Sequence, residues 1–202
     1  MSEKDIFVER EHWLEEEYFR KKNQELIEKM HERQAHEADR QRMAEATGIS
    51  DQEVLEALYD LGFTADTVGL LHLVPLVEVA WAEGGVADRE RDLIFKVAAS
   101  RGVEPGSVAH RQLSQWLDAR PSERFFENTL RAIRVVFDLL PADQRVASRR
   151  DLITYCSQIA EVVEGGILGR GRITDEERML IAHIATEIGQ GREEAVRQVI
   201  GR

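Results

Sequence analysis

One motif occurs twice in this chain, and its repetition limits what the chain can fold into. Gly84-Gly85-Val86-Ala87-Asp88-Arg89-Glu90-Arg91-Asp92-Leu93-Ile94 lines up without gaps on Gly171-Arg172-Ile173-Thr174-Asp175-Glu176-Glu177-Arg178-Met179-Leu180-Ile181, an offset of 87 residues. Extended to Gly102 and Gly189, the two copies share 8 of 19 positions. Each follows an apolar stretch that ends in a carboxylate and two glycines, Glu83-Gly84-Gly85 and Glu164-Gly165-Gly166. Self-similarity at a fixed offset marks duplicated architecture. The duplicated unit is an acidic loop feeding a helix, so the expected fold carries an internal pseudo-twofold repeat.

The rest of the chain reads as helix. From about Asp5 to Ala46 there is no Gly or Pro, and the strong helix formers Glu, Lys, Arg and Gln dominate. Glu16–Arg20, Glu17–Lys21 and Glu25–Lys29 fall at i, i+4 in the favourable orientation. Apolar residues form two clusters, Trp13, Leu14, Tyr18 and Phe19, then Leu26, Ile27 and Met30. The polar run Arg20 to Glu25 separates them, so no sustained heptad exists and the segment reads as a charged arm that docks through its aromatic patches. Ser50 and Glu53 then match a capping box, with Ile49 and Val54 as a hydrophobic staple, opening a short helix from Asp51 to Leu61. From about Ala65 to Glu83 the chain is apolar nearly all round, which places that helix in the middle of a domain. Pro75 should kink it or open a fresh first turn. Further helices are expected from Asp88 to Arg101, Pro105 to Ala119, after Pro121-Ser122, from Ala142 to Glu164, from Thr174 to Gly189 and from Glu193 to Ile200. No segment alternates with period two over strand length, so the chain is expected to be all-α. The predicted parts are a charged N-terminal helical arm (1–46), a short connecting helix (47–64) and a compact helical bundle (65–202).

Composition narrows the partners. The net charge is −11, with 38 acidic against 27 basic residues, which argues against counterion-releasing binding to DNA or RNA and favours cations. Cys156 is the single cysteine, so neither an internal disulfide nor a thiolate metal cage is available, and its apolar neighbours suggest a buried, inert thiol. The N-terminal residues carry no signal-peptide pattern. The most apolar run, Val68 to Ala82, is too short to span a bilayer and contains His72, Pro75 and Glu78. A cytoplasmic location is therefore expected. The histidines do not cluster, and His31 and His36, five apart, do not share a helical face. His72 reads as a core histidine. The glycine-rich run after Glu164 follows a helix, whereas dinucleotide sites need a preceding strand. No nucleophile elbow or phosphate loop is present, and no enzyme activity is expected.

The acidic loops admit two readings. Thr174 and Glu177 form a capping box, with Asp175 and Glu176 in the first helical turn, so these acids can be explained as helix starts alone. In the first copy Ala87 replaces the threonine, so the box is lost or Asp88 becomes the cap. A helix start, however, needs no acid on the preceding helix, and Glu83 and Glu164 both supply one. Hard cations take several oxygens from separate segments. On that reading Glu83, Asp88 and Glu90 form one metal site, and Glu164, Asp175 and Glu177 a second. Arg170 and Arg172 in the longer second loop weaken the latter, which ranks the Glu83 cluster first.

Val79-Ala80-Trp81-Ala82-Glu83-Gly84-Gly85-Val86, followed by Asp88 and Glu90-Arg91, resembles the helix-loop-helix of the TerB-like (tellurite-resistance) family. The resemblance spans about Thr67 to Gly189. It implies a compact bundle with pseudo-twofold symmetry, acidic positions grouped near the repeat boundaries and no enzyme activity. It also implies a non-enzymatic role in stress or metal-ion response, often beside membrane-protein partners. The motif acids carried over are Glu83, Asp88 and Glu90, then Glu164, Asp175 and Glu177, with Ca2+, Mg2+ or Zn2+ as the candidate ligand. Glu83 and Glu164 depart from the family, where Asp is usual. The alternative function is a structural adaptor or oligomerisation protein that meets a protein partner, or a second copy of itself, through the N-terminal helix. Glu9-Arg10-Glu11 through Glu25-Leu26 also faintly resembles the start of bacterial F-type ATPase zeta inhibitors.

Overall fold

The structure, a computed structural model, describes the backbone of residues 3–163 and 173–189 and the side chains of 17–162 and 173–189. Among the described residues there are eight α-helices, one 3-10 segment and no strand. The helices are α1 (Glu3–Thr47), α2 (Gln52–Asp60), α3 (Val74–Ala80), α4 (Asp88–Ser100), α5 (Val108–Asp118), α6 (Glu123–Asp138), α7 (Ala142–Val163) and α8 (Asp175–Glu187). The all-α expectation holds. Glu164, the glycine-rich insertion and the terminal helix expected from Glu193 to Ile200 lie outside the described residues. No helix among the described residues is long and apolar enough to cross a membrane.

The chain divides into two units, residues 1–42 and 43–202. In the first, the side chains of α1 are exposed from Glu17 to Ala35. In the second, α3 is the centre: every residue from Val74 to Ala80 is buried. It packs against α4, α6, α7 and α8. That position follows from a helix with almost no polar face. The long apolar stretch is not one helix, because Pro75 sits in the first turn of α3 and the chain before it, Val68–Leu73, is 3-10. Proline has no N–H to give and its ring crowds the carbonyl four residues back, so an α-helix begins at it more readily than it runs through it.

Caps set the remaining boundaries. The cap of α2 is Asp51 and not Ser50: its carboxylate accepts the Glu53 and Val54 N–H groups at 2.9 and 3.3 Å. Asp51 is the better acceptor because its charge also faces the helix dipole. α5 starts at Val108, with the Ser107 hydroxyl accepting the His110 N–H at 3.0 Å, and α6 starts after Ser122, which accepts the Phe125 N–H at 3.2 Å. α2 packs on α6, so residues 52–60 belong to the second unit. Phe63, Trp116 and Phe125 gather between the loop after α2, α5 and α6, with ring centroids 5.4–6.2 Å apart. The Trp81 indole N–H donates to the Trp116 carbonyl at 2.9 Å and anchors the chain just before the first motif.

Candidate functional site

The two motif copies begin their helices in closely similar ways. At α8, Thr174 is the cap: its hydroxyl accepts the Glu177 N–H at 3.2 Å, and Glu177 Oε2 accepts the Thr174 N–H at 2.8 Å. At α4 the cap position is Ala87, which has no side-chain acceptor, yet Glu90 Oε2 still accepts the Ala87 N–H at 2.7 Å. Half of the capping box therefore survives, and Asp88 is the first helical residue instead of the cap. The conserved geometry buries both glutamates, Glu90 to 3% and Glu177 to 1% exposure. The arginine that follows each one differs in use. Arg91 reaches the end of α5, donating to the Leu117 carbonyl at 2.9 Å and pairing with Asp118 at 2.8 Å. Arg178 pairs with Asp175 of its own first turn at 3.0 Å.

Acids of both copies act on Glu90. Burial raises the Glu90 carboxyl to about 7; the Ala87 N–H opposes the rise, and the negative charges of Glu177 and Glu83 add to it. Glu90 and Glu177, equivalent in sequence, thus lie near enough to repel. Within each copy the acids separate: Glu83, Asp88 and Asp175 are exposed while Glu90 and Glu177 are buried. The reason is helical. Two residues advance a helix by about 200°, so Asp88 and Glu90, or Asp175 and Glu177, start on opposite sides of their turn. Among the described residues no group of three or more His, Cys, Asp or Glu side chains is placed to hold a metal ion. Glu164, the remaining member of the second predicted cluster, lies outside the described residues.

Sequence reasoning passed over Glu78, which is 4% exposed in the middle of α3 and whose Oε2 has no hydrogen-bond partner. Burial raises its carboxyl to about 7, the charges of Glu123 and Glu127 push the same way, and the Arg120 guanidinium opposes them. A carboxylate alone in the most apolar helix was the available signal. Burial, reinforced by the charge of Glu78, also pushes the Cys156 thiol well up, so the buried, inert cysteine is as expected. His72 stacks on Phe137 with centroids 5.6 Å apart, and burial lowers it to about 4. A groove of about 620 Å³ between α2 and α6, lined by residues such as Asp51, Asp60, Arg124 and Arg131, contains none of the motif acids.

No family model, curated protein or solved structure matches this chain.

Proposed function

We propose that residues 65–202 form a TerB-like, non-enzymatic interaction module of stress response, acting in the cytoplasm, whose acidic helix starts bind a divalent cation. The observation that carries this reading is the matched construction of the two starts. Each spends one glutamate oxygen on its own cap N–H, and the two glutamates, Glu90 and Glu177, are buried close enough to raise the proton affinity of Glu90. Two like charges held together away from water favour a proton or a cation between them. Glu83 adds a third negative charge nearby, and Glu164 is the further oxygen donor the motif offers. A membrane-protein partner remains the one that the resemblance implies. Catalysis has little support: the Cys156 thiol is buried and held protonated, and His72 is held neutral by its apolar surroundings.

A thermal melt in EDTA, against melts in Ca2+, Mg2+ or Zn2+ at pH 8, tests the cation. An ion that binds only the folded state raises Tm. We expect at least one of the three to do so, and Glu90→Gln with Glu177→Gln to abolish the rise. No rise with any ion, or a rise that survives both substitutions, ends the cation reading.

A further inference from the structure

Helix α1 carries an apolar seam for which the described chain supplies no cover. Phe19, Leu26 and Met30 are 60, 58 and 52% exposed, and Ile27 beside them is 53% exposed. Together with Asn23 the first three follow the spacing 19, 23, 26, 30, which is the 4-3-4 step of a two-stranded seam. The polar run that interrupts the apolar clusters is, on this register, a single layer filled by Asn23. We propose that α1 pairs with α1 of a second copy of this chain, parallel and in register, through Phe19, Asn23, Leu26 and Met30. This inference does not depend on the cation site.

Residue chemistry selects the occupant and its direction. In a parallel pair Asn23 faces Asn23 of the second copy, and the two amides hydrogen-bond to each other. A lone asparagine at such a position fixes register and two-strandedness. In an antiparallel pair with the same seam, Asn23 would face Leu26 and leave its amide unmatched in an apolar layer. That arrangement would also bring Lys22 alongside Lys29 at the flanks, a like-charge contact. Elsewhere on the surface, Tyr18 and Lys22 are already engaged with each other: Lys22 Nζ donates to the Tyr18 hydroxyl at 2.8 Å and lies 5.1 Å from its ring. Beyond the seam the next positions are Arg33 and Glu37, so pairing ends after two heptads. A seam this short predicts a concentration-dependent dimer, not a permanent one.

Sedimentation and light scattering on the full chain test it. The mass should rise from 23.1 kDa towards twice that value as concentration increases. Leu26→Lys should return it to the monomer while leaving the circular dichroism and melt of residues 43–202 unchanged. Direction is read by cross-linking, because Cys156 is buried and silent. Met30→Cys alone should form a disulfide dimer under mild oxidation. A monomer at every concentration overturns the proposal and hands the seam to a different protein. Cross-linking only when Phe19→Cys is mixed with Met30→Cys overturns the parallel register.

Discussion

Glu78 brings an ionisable group into a seven-residue helix that is otherwise wholly buried and apolar. Its Oε2 has no partner, and a carboxylate left unpaired in such surroundings binds a proton instead of staying charged. The folded-state value of about 7 stands above the ordinary 4.5, so the stabilising protonated form is complete below pH 4.5 and is lost as pH rises through 7. Glu78→Gln keeps the shape and removes the charge. It should raise stability at pH 8 by about 1–3 kcal/mol and change little at pH 4.5, as read by denaturant melts at the two pH values. Equal effects at both would show that Glu78 acts through packing and not through charge. Sequence marks this residue as the odd member of its helix. It cannot say that the acid stays unpaired, because that depends on what α6 and α7 present to it.

At the scale of the element, the two motif helices differ by one side-chain acceptor on nearly the same backbone. Ala87 has φ −72° and ψ 153°, and Thr174 has φ −66° and ψ 163°. A threonine at position 87 would therefore meet the Glu90 N–H as Thr174 meets that of Glu177. Ala87→Thr should stabilise by about 0.5–1 kcal/mol, and Thr174→Ala should cost about 0.5–2 kcal/mol, both seen as shifts of denaturant midpoint at constant m. Failure of Ala87→Thr to stabilise would mean that the space beside Ala87 does not admit the hydroxyl. Caps of this kind were the most legible part of the fold, since a hydroxyl, three residues and a glutamate decide them locally. Thr174 and Glu177 were readable for that reason. Asp51 was misread because Ser50 offers an equally good spacing, and only the backbone decides between neighbours. The 3-10 stretch before Pro75 was legible as a break but not as a change of helix type. What sequence could not reveal is that the charge of Glu177 acts on Glu90, for residues 87 apart in the chain come within electrostatic reach only through packing. Within a helix start, the turn of about 200° between positions two apart puts Asp88 and Glu90 on different sides, while the charge of Glu83, from before α4, still acts on Glu90.

For the molecule as a whole, these buried groups act against one another on the pH scale. Glu78 and Glu90 are raised to about 7 from 4.5, while His72 is lowered to about 4 from 6.5. Between pH 4.5 and 6.5 the folded chain therefore keeps two carboxyl protons that the unfolded chain has released. Over the same window the unfolded chain holds an imidazolium proton that folded His72 refuses. The folded state binds one proton more in net, so this set makes stability fall as pH rises, by about 1.4 kcal/mol per pH unit. From 6.5 to 7 the histidine drops out and the fall steepens; above 7 the set contributes no further slope. Below 4.5 only His72 remains, and its contribution is lost as pH falls through 4. The opposition is testable because each side can be removed alone. His72→Gln should roughly double the slope between pH 4.5 and 6.5, because the neutral amide no longer offsets the two acids. Glu78→Gln with Glu90→Gln should reverse the sign, leaving a chain that gains stability with rising pH over that window. Denaturation midpoints at closely spaced pH values read both slopes directly. Parallel curves for wild type and His72→Gln would mean that the imidazole titrates in the folded state as freely as in the unfolded one, and that its stack on Phe137 does not keep water from it.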